Sequence, residues 1–452
     1  MKKNGSHTTH VQPVRALTAA DYTCEETYKA TRLPVSRAST IIPDAYRSEE
    51  FYKVEQDRIF SKGWVCVGYT SQASKAGETF MTTLAGQSFF ITRDDSGQLR
   101  AFYNVCRHRG AQLIHEDGCH DVIRCPYHSW GYGLDGKLLG TPYFRGLDVP
   151  QEQQAIFDMS GAKGFCKEDY PLLSVRVESW GCFIFLSLDP GVRPLKEWLG
   201  DLPERLKRYP LDELKMVRRK PMEIKANWKL IAENFMEYYH LPWVHPELCN
   251  ISGFNDHYRT QGEGMYTGMC TYPLSKDPHT ASFELPVMPG LDAKESETAY
   301  WFLIFPNVAL FLLPNHLFTL LFRPDGHGCA LENADLLVHP NALGHDGSEK
   351  KIDEILNFWD MVNQQDIKAV QWVQAGVQSK AYPGGRMCYR FEEPVHRYQN
   401  MVIDRMVGND RIPKGDATGD PGLAQAIAAE KAVPRKKVGA HARMPKSAMV
   451  EA

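Results

Sequence analysis

Two short segments each present a thiol and an imidazole: Cys106-x-His108 and, after sixteen intervening residues, Cys125-x-x-His128. Four such ligands could hold zinc, but structural zinc sites space like with like, C-x(2–4)-C and H-x(3–5)-H, and each segment here mixes the two. Mixing suits a two-iron two-sulfur centre in which two thiolates bind one iron and two imidazoles the other, so that each loop gives one ligand to each metal. Imidazole ligands raise the reduction potential above that of all-thiolate clusters, and a titratable ring couples electron uptake to proton uptake. Unliganded Cys and His in a strand-rich domain are the plain alternative. His115, Cys119 and His120 lie in the same stretch and are read as bystanders.

A cluster by itself marks an electron carrier, so a second site must decide the class. In NWKLIAENFMEYYHLPWVHPEL, His240 and His245 stand five apart across Pro242. A break at the proline lets the chain turn both imidazoles inward. One carboxylate would complete a facial triad of two His and one acid, which leaves positions on ferrous iron open for oxygen and substrate.

CRHRG at 106–110 and CPYHSW at 125–130 resemble the cluster motif of the Rieske non-haem iron oxygenases, which include the large (alpha) subunits of ring-hydroxylating dioxygenases. Arg109-Gly110, Pro126 and Trp130 fit that pattern, and the resemblance runs from about Phe51 to Met406. It implies Cys106, His108, Cys125 and His128 as ligands of a 2Fe-2S cluster, and His240 and His245 as ligands of a mononuclear Fe(2+). The carboxylate then comes from a late helix, as an Asp a few residues after an Asn, and VNQQDIKAV offers Asp366. Asp353, Glu354 and Asp360 compete on the same helix, with Asp360 the second choice. At about 100° per residue, Asp353, Asp360 and Asp366 are expected to face different ways, so that only one meets the histidines.

Glu237 precedes His240 by three residues, one helical turn, which puts both on one face. In the family an acid at this place bridges a cluster His of one subunit and an iron His of its neighbour. Many members carry Asp there, and Glu resembles the branch acting on quaternary amines such as carnitine, glycine betaine and choline. A solvated helix-face carboxylate is the simpler alternative. Phe235, Tyr238, Tyr239 and Trp243 could cage a quaternary ammonium with their π faces, or could be core. Asn234 is expected near the iron, Trp228 in packing, and Asn315, His316 and Phe318 are candidates for the pocket wall.

These groups need elements to hold them. SEEFYKVEQDRIFSKGW reads as a surface helix, and GQSFFITRD and QLRAFYNVC as a hairpin turning at Asp95-Ser96-Gly97. SWGCFIFLSLDP reads as one strand ending at Pro190, Leu195–Leu214 as a helix, and Asn227 onward as a helix that Pro242 breaks. WFLIFP, ALFLLP and HLFTLLF are strands, and a long helix follows Gly344. The fold class expected is α+β: an antiparallel β-sandwich Rieske domain over 46–165 and a catalytic domain over 166–408 of helix-grip type, with an antiparallel sheet covered by helices. Residues 1–45 form an arm on the catalytic domain, and 409–452 a mobile tail.

The 452 residues carry 52 Lys+Arg against 55 Asp+Glu, a net charge of −3, which gives no basic field for nucleic acid. The longest apolar run, around Trp301 to Leu313, is broken by Pro306 and Asn307 and is too short for a bilayer span. The N-terminus has lysines but no apolar core behind them, so no secretory signal and a cytoplasmic location are expected. Eleven cysteines, an odd and scattered set, do not make a disulfide framework. No G-x-G-x-x-G follows a strand, so NAD(P)H reaches the chain only through a separate flavin/iron-sulfur reductase. The resemblance further implies a homotrimer, with or without a small beta subunit, that uses O2 to hydroxylate a small molecule. The preferred substrate is a quaternary or N-methyl amine whose hydroxylated carbon loses its C–N bond. An aromatic ring is the alternative, and an electron-transfer protein without oxygenase activity the remote one.

Overall fold

The computed structural model describes residues 16–142, 144, 164–274 and 285–415; the expected tail from 416 on, and residues 1–15 of the expected arm, lie outside them. Four antiparallel sheets form among these residues, with helices packed against the largest, an α+β architecture.

The cluster motif sits between two small sheets. One orders Leu99–Tyr103, Gln87–Arg93, Glu78–Leu84 and Gly118–Cys119; the other orders Ile123–Arg124, Gly131–Tyr132 and Leu138–Gly140. The hairpin turn falls at the expected residues. Asp94 Oδ1 accepts from the amides of Ser96 and Gln98 at 3.0 and 2.9 Å, and Gly97 takes φ +81°. Phe90, Phe102, Ile114, Ile123, Trp130 and Tyr132 make a core of their own under the two loops.

The segment read as one strand before Pro190 is a hairpin instead, Arg176–Trp180 and Phe183–Ser187, reversed at Gly181 with φ +54°. A Cβ at Gly181 would stand 2.7 Å from that of Leu211, so space as well as backbone angle requires glycine. This hairpin pairs with Val65–Tyr69. Backbone hydrogen bonds thus cross the boundary expected at 165, joining 176–187 to a strand at the start of the 46–165 portion.

The large sheet has seven antiparallel strands in the order Lys215–Ile224, Ala330–Val338, Leu317–Pro324, Val308–Leu312, Ala299–Ile304, Tyr266–Thr271 and His257–Arg259. Its middle strands are buried on both faces, which explains their nearly continuous apolar runs. Asn307 stitches this sheet to the smaller one: its Oδ1 accepts from the Cys66 amide at 3.0 Å and its Nδ2 donates to the Cys66 carbonyl at 2.9 Å. The long helix after Gly344 spans Ser348–Val377, and a last helix spans Glu393–Met406. Residues of the expected arm lie on the latter: Arg32 pairs with Asp404 at 2.7 Å, and the Ile41 amide donates to Gln399 at 2.8 Å.

Two helix expectations are corrected. Leu195–Leu214 yields only Leu195–Leu199 and Leu202–Arg205, because Gly200 at φ +59° brings the chain against the Glu263 carbonyl. The helix from Trp228 stops at Phe235 rather than at Pro242, which lies in the first turn of a separate short helix, Leu241–Val244. A proline is tolerated there, since its missing N–H would have no helical acceptor. No helix of the described residues is long and apolar enough to cross a membrane.

Beneath the Trp228–Phe235 helix, Lys229 and Glu55 form an ion pair with both side chains fully buried. The ammonium also faces the rings of Trp228 and Phe51, at 5.0 and 5.3 Å from their centres. Burial pushes the Lys229 amine down and the Glu55 carboxyl up, and each partner opposes the shift of the other. Lys229→Met, which leaves Glu55 buried without its cation, is expected to cost about 3–5 kcal/mol in urea unfolding. The double variant Glu55→Leu/Lys229→Met should recover most of that loss.

Candidate metal centres

Each cluster loop is closed by its own backbone. The Cys106 amide donates to the Ala111 carbonyl and the Cys125 amide to the Trp130 carbonyl, both at 2.8 Å. Asn104 pins the first loop by accepting from the amides of Leu113 and Ile114 at 3.1 and 2.8 Å. The loops bring the His108 and His128 rings to 4.7 Å between centres, and His108 stacks on Trp130 at 4.8 Å. Cys106 and Cys125 are buried; Tyr132 Oη lies 3.3 Å from Cys106 Sγ and accepts from the Arg107 amide at 3.0 Å. Burial pushes the Cys106 thiol up, a cost that a bound metal removes by taking the thiolate.

The buried Nδ1 of His108 has no hydrogen-bond partner among the described residues. An imidazole nitrogen left free beside two buried thiols fits a metal ligand, and the donor set of two sulfurs and two nitrogens fits a 2Fe-2S cluster. Cys119 and His115, by contrast, are exposed outside this set.

The second centre is built on the chain reversal between Phe235 and His245. His240 Nε2 and His245 Nε2 lie 3.5 and 2.7 Å from Asp366 Oδ1, and ligand atoms of the three residues all fall within 4.8 Å of one another. Each ring is held from behind. His240 Nδ1 is 2.5 Å from Glu237 Oε1, and His245 Nδ1 is 2.7 Å from Gln365 Oε1. Such back bonds fix the tautomer, so that Nε2 is the free donor, and they raise ligand basicity. Burial works to lower the His240 pKa, but the Glu237 and Asp366 carboxylates together outweigh it and the net shift is upward.

Asp360 and Asp353, the competing acids, turn elsewhere: Asp360 pairs with Lys220, and Asp353 with Arg218 at 2.8 Å. Both partners sit on the Lys215–Ile224 strand. The expectation that these two acids face different ways is thus corrected, since seven residues are almost two helical turns. The helical route by which Glu237 was expected to reach His240 is corrected as well. Glu237 lies past the end of its helix, and its carboxylate folds back to accept from the Tyr239 and His240 amides.

Of the expected pocket residues, Asn234 and Phe235 line the cavity at the triad, with His257, Met269, Trp301 and Phe311. Tyr238 is buried one layer back, stacked on His257 at 4.9 Å. Trp243 does not wall this cavity; with 68% of its surface exposed it faces outward, because the short helix has turned. Asn315 also falls outside the lining, at the turn between two strands, with Nδ2 3.4 Å from the Leu285 carbonyl. His316 accepts from Trp359 Nε1 at 2.8 Å, and Phe318 stacks on the same indole.

Sequence reasoning missed Gln365, His257, Trp301 and Phe311. Adjacency to Asp366 was the one available signal for Gln365. His257 and Trp301 meet only because their strands flank Tyr266–Thr271, a register that no local pattern displays.

Models of two protein families match the chain: the Rieske [2Fe-2S] domain over residues 63–151 and the ring hydroxylating alpha subunit (catalytic domain) over 211–408. The carnitine monooxygenase oxygenase subunit of Escherichia coli (strain K12) is 30% identical over 352 residues, 77% of this chain and 86% of that one. The chain belongs to the Rieske non-haem iron oxygenases. The chloroplastic choline monooxygenase of Amaranthus tricolor is 28% identical to this oxygenase over 78% of its chain and 74% of the relative. Among solved structures, the quaternary ammonium Rieske monooxygenase CntA matches with a TM-score of 0.69 at 23% identity, over 87% of this chain and 100% of that one. A naphthalene 1,2-dioxygenase matches with a TM-score of 0.68 at 19% identity, over 86% and 95%. At these identities the two likenesses show a shared fold.

The oxygenase uses a Rieske cluster and a mononuclear iron with O2, and works with a separate reductase on a small-molecule substrate. Gln365→Leu, which removes the acceptor behind His245, is expected to weaken Fe(II) binding about tenfold to hundredfold. Competition against a calibrated chelator, with the visible spectrum of the cluster as an internal control, measures that loss.

Proposed function

We propose that this oxygenase hydroxylates a quaternary or N-methyl amine, and that Cys106, His108, Cys125 and His128 hold its cluster while His240, His245 and Asp366 hold its iron. The observation that carries the substrate class is the aromatic lining, Phe235, Trp301, Phe311 and His257, of the cavity bounded by the triad. A cation without N–H donors binds such faces by attraction to their π density. His257 would repel it if protonated. Burial pushes its pKa down to about 4, and its two nitrogens are engaged by the Gly253 carbonyl at 2.9 Å and the Ser252 hydroxyl at 3.1 Å, so the ring stays neutral.

The names of the relatives point the same way, as one is a carnitine and another a choline monooxygenase. The reaction is R–CH2–N(CH3)3⁺ + O2 + 2e⁻ + 2H⁺ → R–CH(OH)–N(CH3)3⁺ + H2O. The hydroxylated carbon then releases the amine as its O–H proton leaves and the C=O bond forms. Iron, when bound, offers open positions for O2, and the cluster supplies electrons singly. The Glu237 side chain is 15% exposed while it engages His240, so it is not sealed inside the subunit. We place it against a cluster histidine of a second copy in a homotrimer, as a bridge for the electron.

The same apolar walls also suit an aromatic ring, the second reading, in keeping with the naphthalene dioxygenase likeness. A screen with a generic reductase decides between them. Betaines and carnitine-like compounds should give NADH and O2 consumption matched by product, and matched consumption with aromatic substrates alone would reverse the assignment. Glu237→Gln should retain both centres yet slow turnover about tenfold or more. Turnover equal to wild type would remove the bridging role.

A further inference from the structure

Glu332 lies on the Ala330–Val338 strand, inside the large sheet, with 2% of its surface exposed. Its Oε1 accepts from Asn363 Nδ2 at 2.7 Å, and its Oε2 is buried with no hydrogen-bond partner among the described residues. Asn363 stands one turn before Asp366 on the long helix, so a single element carries the metal-facing carboxylate and the group that holds Glu332.

A cavity of about 10 Å³ adjoins Glu332, bounded also by Asn363, Asn234, Phe235 and Asp366. That is the lower limit of room for one water molecule, and four polar side chains, Glu332, Asn363, Asn234 and Asp366, stand in an otherwise apolar lining to hold one. Asn234, Phe235 and Asp366 wall the cavity at the histidines as well. The two spaces therefore back onto each other, with Asp366 between them.

Charge decides the form of Glu332. Burial is the largest influence and raises its pKa; the Asn363 bond opposes this, while Asp366 on the helix and Asp335 on the same strand raise it further, to about 7. No cation is among these influences, and a carboxylate buried without one is costly. A carboxylic acid, by contrast, needs only an acceptor for its O–H.

We propose that Glu332 is a positioning residue for the metal-binding carboxylate: as a neutral acid it donates to one water in this cavity, and that water donates to Asp366 from the side away from the histidines. The inference rests on the reading of Asp366 as an iron ligand. It gives the oxygenase a fixed orientation of that carboxylate without adding a second negative charge beside the metal.

The test uses full-length protein with the cluster intact and the mononuclear site emptied by chelator. At pH 6 the infrared spectrum should contain a protonated-carboxyl C=O band that disappears in E332Q; its absence from the wild type overturns the proposal. In Fe(II) titrations E332Q, a neutral group that still donates, should bind within about threefold of wild type, and E332L about tenfold to hundredfold more weakly. If Glu332 is ionised instead, E332Q removes a negative charge near the ion and weakens binding as much as E332L does, which also overturns it. E332L with wild-type affinity does the same. Asp366→Ala separates the two readings: loss of Fe(II) binding there supports the ligand assignment, and retained binding removes that assignment whatever Glu332 does.

Discussion

Two imidazoles and a carboxylate can share one ion only if each presents a chosen atom to the same point, and an imidazole has two nitrogens to choose between. In this chain the choice is made behind the ring. Glu237 engages Nδ1 of His240 and Gln365 engages Nδ1 of His245, which leaves both Nε2 atoms to face Asp366. Each back partner comes from a different element, a chain reversal and a long helix, so the relative placement of those elements is what the rest of the fold has to secure. The Ser348–Val377 helix lies beside the Lys215–Ile224 strand, tied by Arg218 and Lys220 to Asp353 and Asp360. The Trp228–Phe235 helix is fixed from beneath by the buried Lys229–Glu55 pair.

The two candidate metal sites differ in how they are made. The cluster site is local: two loops within 25 residues of sequence, closed by their own amides and seated on a private core of aromatic and aliphatic side chains. The triad is assembled over more than 120 residues, from His240 to Asp366. A site of the first kind tolerates movement of the surrounding domain, whereas one of the second kind registers any shift of helix against sheet. Asn307, bonded twice to Cys66, carries mechanical continuity between the portion that holds the cluster and the sheet beneath the iron.

Much of this was legible in the residues because it is short-range. The hairpin at Asp94–Gly97, the late strands and the long helix appear where turn residues and apolar periodicity place them. Candidate ligands stood out because the motifs are spaced loops, and the fold brings His240, His245 and Asp366 together. What was not legible depends on packing at a distance. Gly181 turns a strand into a hairpin because Leu211 crowds it, and Gly200 ends a helix against a carbonyl that lies 63 positions further on. Trp243 reads as a cage residue by composition, yet it faces outward because the helix had already ended at Phe235. His257 and Trp301 acquire their places only from the pairing of three strands.

Glu237 already accepts from two backbone amides while it engages the His240 ring, and its side chain is partly exposed. A carboxylate has only about four lone-pair directions to share. Any donor arriving from the surface must therefore draw electron density from bonds that tune the imidazole behind it. The basicity of one ligand of the triad is in this way adjustable from outside the molecule. A protein standing on that patch would be felt at His240 as a change in donor strength, with no movement of the backbone required.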